Sequence, residues 1–327
     1  MLAPGPLLLA PHLDEKPWGG RGLAGYGFTL PEDRLIGEAL VTGSDARVTG
    51  GLLDGRRLGD VVAADPPRAI GERGLRLTNG LPLFPLLIKL IDARDDLSIQ
   101  VHPADETAPH GHLGKTEAWH VLAALGCAAL YLGLQDGVGV AELEALARSG
   151  QSTAHLMRRV SAIPGTTVLL PAGTVHALGA GVVIYEIQQP SAITYRFDDW
   201  GRVDAAGNPR ELHIDEGFAV LDPASRPDPI PAEPIPIPSG KRTRLVRCPF
   251  FAAERIEFSP GDSIELDGEG APQVFTCLAG ALTIAADGRD VAVIAGQSVA
   301  LLAASSPARL TATAPTTLLR RWLDQSI

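Results

Sequence analysis

The stretch "GTTVLLPAGTVHAL", residues 165–178, decides how this chain is read. A run of β-branched and aliphatic residues from Thr166 to Leu170 has the composition of a strand. Pro171 ends the run, Gly173 gives the freedom for a sharp turn, and His176 opens the returning strand. The imidazole then points into the interior of an antiparallel β structure. A second stretch, "LSIQVHPADE" (residues 97–106), alternates Leu97, Ile99 and Val101 with Ser98, Gln100 and His102. The pleat therefore aims Gln100 and His102 the same way. Between the two lies "GHLGKTEAWHV", with Glu117 at the head of another β run.

Working outward, "FPLLIKLIDA", "EAWHVLAAL", "CAALYLGL" and "GVVIYEIQQP" follow at short intervals, bounded by Gly, Pro and Asp. Such spacing predicts a mainly β chain, with antiparallel sheets closed into a barrel or sandwich rather than a βαβ fold. No glycine-rich loop follows a strand and opens a helix, so a nucleotide-binding reading lacks support. A helical insertion is expected over 140–160, with Leu143, Leu146 and Ala147 on one face, a break at Gly150 and a resumption beyond it. A second helix is expected over 211–221. The stretch "RPDPIPAEPIPIPSG", with six prolines in fifteen residues, must be extended and reads as a stiff connector. The expected organisation is a first domain at 1–225, this connector at 226–240, and a smaller β-barrel at 241–327 that has no histidine.

Composition narrows the function. Hydrophobic residues make up 45% and charged residues 20%, the balance of a globular protein with ample core. The formal charge of −10 argues against nucleic acid as a partner, yet one local cluster of cations could still hold a small phosphate. The N-terminal "MLAPGPLLLAPHL" lacks a basic leader and does not read as a signal peptide, and "LPLFPLLIKLI" is too short to span a membrane. Cys127, Cys248 and Cys277 are far apart and lack CxxC spacing. A disulfide framework is not expected, and a reducing cytoplasm fits.

Gln100, His102, Glu117 and His176, all on inward-facing strand positions, would form a site for one divalent metal with room for substrate. Two imidazoles and one carboxylate are a recurrent catalytic zinc set; ligand type favours zinc and leaves Fe(II), Mn(II) and Co(II) open. The other histidines lack such context, and His120 is left out of the set by its position three residues after Glu117.

The Gly-x5-Pro-x-Gly-x-x-His stretch resembles the second motif of cupins. Taken together, "KPWGG", "SIQVHP", "GKTEAW", "PAGTVHAL", "QQPSAITYR" and "ELHID" resemble the class I mannose-6-phosphate isomerases, especially the short bacterial form, from about residue 8 to 222. The resemblance implies two cupin-like jelly-roll barrels, with the first catalytic. It also implies a metal-dependent interconversion of mannose 6-phosphate and fructose 6-phosphate. It assigns the ligands to Gln100, His102, Glu117 and His176 and a catalytic role to Arg196. One departure is that "HALGA" has no Asn after the histidine.

Moving a carbonyl between C1 and C2 passes through an enediol-type intermediate with charge on adjacent oxygens, which calls for a cation and a positioned acid or base. Arg196 is a fixed cation that cannot itself act as a base. Lys115, two residues before Glu117, is the candidate base or a phosphate contact. Trp18 could stack on a sugar face, Glu186 could line the cavity, and Arg202 could meet the phosphate. The competing class is a non-catalytic regulatory cupin that binds metal and sugar; an assay with fructose 6-phosphate and a chelator separates the two. A monomer or weak homo-oligomer is expected.

Overall fold

The computed structural model describes residues 5–203 and 206–323. Its strands form four antiparallel sheets of five, seven, eight and four members. The packing shows how they are layered. Trp119, Val121, Val182 and Ile184 of the seven-stranded sheet meet Leu130, Leu132 and Leu178 of the five-stranded sheet in one core. On the other face of the seven-stranded sheet, Ala118, Tyr185 and Ile187 meet Leu245, Ala253, Val274 and Leu319 of the eight-stranded sheet. The far side of the eight-stranded sheet packs Ile256, Phe275 and Leu318 on Leu282, Ile284 and Leu310 of the four-stranded sheet. The order is five, seven, eight, four.

This layering explains the central strands. Val182–Gln188 is buried at every position, because both of its faces are covered. Its even-numbered residues, Val182, Ile184 and Glu186, point toward the five-stranded sheet. Val183, Tyr185 and Ile187 point toward the eight-stranded one. What the sequence suggested as two barrels is thus, in hydrogen bonding, two pairs of facing sheets.

The connector is extended, as its prolines require, and it also pairs with strands. Pro229–Ile230 joins Thr167–Val168, and Glu233–Ile235 joins Arg242–Arg244. The strand Leu7–Ala10 does not join the seven-stranded sheet of its sequence neighbours. It pairs with Ser298–Leu301 and Arg47–Thr49, in the sheet built otherwise from residues after 232.

Two helical expectations need correction. The helix Val140–Ser149 ends at Gly150 in the left-handed conformation (φ 69°), but no second helix follows. A single 3-10 turn, Ala154–Leu156, leads into the strand Met157–Ser161, because this segment pairs along Ala129–Leu134. The later helix spans Ile214–Val220, shorter than expected. Helices at Leu58–Ala64 and Pro66–Leu77 were not anticipated, although "DPP" carries a start signal. Asp65 accepts a hydrogen bond from the Arg68 N–H, and Pro66 occupies the first turn, where its missing donor costs nothing.

All three cysteines are unpaired. Among the described residues no helix is long and apolar enough to cross a membrane.

Candidate active site

The site lies between the seven- and five-stranded sheets. The strand Glu117–Ala124 brings Glu117 in from one side. From the other side come Gln100, on Ile99–Val101, and His176, the first residue of His176–Leu178. His176 and Gln100 are register partners. His102 follows directly after its strand. Its position is set by the turn at Pro171–Gly173, where Gly173, at φ 85°, donates its N–H to the His102 carbonyl at 2.8 Å.

Both imidazoles are oriented through Nδ1. That atom of His102 lies 2.8 Å from the Ile193 carbonyl, and that of His176 lies 2.8 Å from the Thr174 carbonyl. Because a carbonyl only accepts, each Nδ1 carries the proton and each Nε2 keeps its lone pair. Those lone pairs face Glu117: His102 Nε2 lies 3.6 Å from Oε2, and His176 Nε2 lies 3.3 Å from Oε1. Bonds of about 2.1 Å to a tetrahedral cation place neighbouring ligand atoms about 3.4 Å apart, which matches this spacing. Neither carboxylate oxygen of Glu117 accepts a hydrogen bond, although both are fully buried. Oε2 also has an ion-pair contact, to Lys115 Nζ at 3.1 Å. A buried carboxylate that accepts no hydrogen bond and faces two imidazole lone pairs fits a metal ion. His102, Glu117 and His176 therefore form a possible metal site, with ligand atoms all within 4.8 Å of one another.

Gln100 is adjacent but turned. Its Nε2 stands 3.5 Å from His176 Nε2, while Oε1 accepts from Ser98 Oγ at 3.0 Å. Rotating the amide by half a turn would present the oxygen instead. Burial holds both histidines neutral: His176 is lowered to about 4, and His102 falls well below its usual value, with Lys115 and His176 adding to the effect. Neutral rings are what a metal needs.

A cavity of about 220 Å³ adjoins these residues. Lys115, Arg196, Glu186 and Trp18 all line it. Lys115 is buried, with Nζ 3.0 Å from His102 Nε2. Arg196 pairs in register with Gln100 and donates through Nη1 to the Glu211 carbonyl at 2.9 Å. Glu186 accepts from Trp119 Nε1 at 3.1 Å; burial, reinforced by Glu117, raises its pKa. Trp18 packs beside Gly37, where any side chain would collide with its ring.

Arg202 does not line the cavity. It binds Asp199 and the Asp96 carbonyl and faces a separate depression. Four charged residues that sequence reasoning missed do line it: Lys16, Glu38, Lys89 and Arg210. Lys89 had a signal, a lone charge inside the apolar run "LLIKLI". It stands opposite Glu186 in register. Burial opposes its charge, but Glu186 and Glu38 outweigh that and raise its pKa. His120, excluded from the ligand set, indeed points to the opposite face, toward Thr167 Oγ1 at 2.9 Å.

Facing antiparallel sheets with a His–Glu–His cluster that could hold a metal ion, and a charged cavity between them, define a cupin-like protein. Residues 7–120 match the model of the phosphomannose isomerase type I catalytic domain. Mannose-6-phosphate isomerase ManA of Bacillus subtilis (strain 168) is 34% identical over 269 residues, covering 80% of this chain and 82% of the relative. Mannose-6-phosphate isomerase of Streptococcus mutans is 33% identical over 261 residues, 78% of this chain and 79% of the relative. The crystal structure of mannose 6-phosphate isomerase from Bacillus subtilis superposes with a TM-score of 0.83 at 26% identity, over 97% of this chain and 99% of that one. The chain belongs to the type I phosphomannose isomerase family.

Proposed function

We propose that this chain is a metal-dependent aldose–ketose isomerase that interconverts mannose 6-phosphate and fructose 6-phosphate. The observation that carries the reading is Glu117, buried without a hydrogen bond between two neutral imidazoles and next to Lys115, which lines a cavity rich in lysine and arginine. His102, Glu117 and His176 would hold the ion, with Gln100 joining once its amide turns. Zinc is the ion favoured by these ligand types. When bound, the ion supplies Lewis-acid stabilisation of charge on the substrate's C1 and C2 oxygens.

The chain's own groups do the rest. Arg196, a permanent cation beside Gln100, stabilises the same developing charge from the neighbouring strand. Lys115 Nζ and the Glu186 carboxyl are the buried groups positioned to hold or move a proton. The lysine–glutamate pairs at Lys16, Glu38, Lys89 and Glu186 offer donors and acceptors for sugar hydroxyls. Trp18 closes the apolar side.

Purified protein supplied with fructose 6-phosphate should form mannose 6-phosphate, lose activity on chelation and regain it with added divalent ion. Metal-loaded protein that turns over neither sugar would defeat the isomerase reading.

A further inference from the structure

Among the described residues, charges around the cavity fall into three groups, and two are balanced. Lys16 and Lys89 approach Glu38 at 3.6 and 3.3 Å, and Lys89 approaches Glu186 at 3.9 Å. Lys115 meets Glu117 at 3.1 Å. The third wall presents Arg196 and Arg210, and the carboxylate behind them is Asp199.

Asp199 is 6% exposed and does not line the cavity. It engages Arg210 bidentately: Nε donates to Oδ2 at 2.6 Å, and Nη2 donates to Oδ1. Arg202 Nη2 donates to the same Oδ1, while its Nη1 donates to the Asp96 carbonyl. Burial alone would favour the protonated acid, but the hydrogen bonds from Arg210 and Arg202 outweigh it and keep Asp199 charged. With Arg202 behind the wall, three guanidiniums stand against two carboxylates, Asp199 and the exposed Glu211, which leaves a net positive charge. A phosphate monoester, with a charge of about −1.5 to −2 near pH 7, is the complement.

Arg210 needs this anchor. Its side chain is 36% exposed and lines both this cavity and the depression beyond it. Arg196, nearby and of the same charge, repels it. Without the bidentate hold it would turn toward solvent.

We propose that Asp199 is the positioning residue for the substrate's phosphate: it fixes the Arg210 fork at the cavity edge through Nε and Nη2 and leaves Nη1 for the phosphate. Asp199 itself does not touch substrate. The inference rests on the isomerase reading above, and it names the residues that hold that substrate's charged end.

The test compares Asp199→Asn, Asp199→Ala, Arg210→Gln, Arg210→Lys and the double variant Asp199→Asn/Arg210→Gln, each as the full metal-loaded chain. Asp199→Asn should raise KM for fructose 6-phosphate about tenfold and leave kcat within about threefold. The double variant should be no worse than Arg210→Gln, because the two residues act as one unit. Affinity for inorganic phosphate, read by calorimetry, should fall in parallel. A KM and a phosphate affinity within about twofold of wild type, a loss confined to kcat, or additive effects in the double variant would each overturn the proposal. If wild type fails to isomerise yet Asp199→Asn still weakens inorganic phosphate, the isomerase reading falls and the phosphate anchor stands. Should Asp199→Ala not fold, judged by metal content and Tm, the Arg210 pair decides. Arg210→Lys keeps charge without the fork and should fall between wild type and Arg210→Gln; equality with wild type overturns the assignment.

Discussion

His176 and Gln100 stand opposite each other on neighbouring antiparallel strands, 76 residues apart in the chain, with side-chain nitrogens 3.5 Å apart. Glu117 closes the cluster from the facing sheet, so the candidate metal site bridges two layers. A bound ion would tie the layers together.

That bridging role makes Glu117→Gln informative. It keeps the shape of the side chain but removes the charge that pairs with a cation. The variant should fold, retain less than about a tenth of the wild-type metal affinity, and lose the Tm increase that added metal gives wild type. Metal analysis after dialysis and thermal melts with and without zinc check both.

Arg196→Ala separates binding of the ion from chemistry. The guanidinium is not in the His–Glu–His cluster, so metal content should stay near wild type. The loss of a fixed cation near the developing charge should lower kcat about 10²–10³-fold. Loss of metal from this variant would place Arg196 in the ion's support instead.

Lys115 presents a competition. Its ammonium lies 3.0 Å from His102 Nε2 and 3.1 Å from Glu117 Oε2, against two of the atoms that would hold the ion. Lys115→Met should therefore bind divalent metal at least as tightly as wild type, while kcat falls about 10²-fold or more. Metal titration alongside steady-state kinetics reads the two effects separately.

Acid should destabilise the metal-free protein. His102, His120 and His176 are buried, and burial depresses each below the ordinary value of 6.5: His176 to about 4, His120 to about 3 and His102 well below its usual value. Below pH 6.5 the unfolded chain takes up protons that the folded chain refuses. Stability is therefore fully present above 6.5 and declines as pH falls toward about 4, by about 1.4 kcal/mol per pH unit for each histidine. Urea unfolding of the stripped protein at pH 7 and 5 should show this, and His120→Asn should lessen the slope without altering metal content.

Gly173→Ala tests the turn. A side chain at φ 85° is strained, and the Gly173 N–H holds the His102 carbonyl. The variant should lose about 1–2 kcal/mol of stability and bind metal more weakly. Unchanged metal affinity would show that His102 is placed by its Ile193 contact alone.

How much of this was legible in the sequence depends on range. Period-two alternation placed Gln100 with His102, and proline and glycine punctuation placed His176 at a strand start, because both effects act within a few residues. Alternation likewise sent His120 to the face opposite Glu117. The strand at Met157–Ser161 was misread as helix because its partner, Ala129–Leu134, outweighs local preference. The strand Leu7–Ala10 could not be placed at all from its neighbours, since it pairs with residues near 300.

The chain by itself therefore determined a mainly β architecture, the residue types of a metal cluster, and the family to which those motifs belong. Tertiary structure alone decided that Lys16, Lys89 and Arg210 face the cavity beside Lys115 and Arg196, and that Arg202 does not. Arg202 and Arg210 look alike as sequence, yet a turn and one shared carboxylate, Asp199, direct Arg210 to the cavity and Arg202 to the Asp96 carbonyl. Strand periodicity is local, whereas the reach of a long side chain depends on whatever distant group it meets.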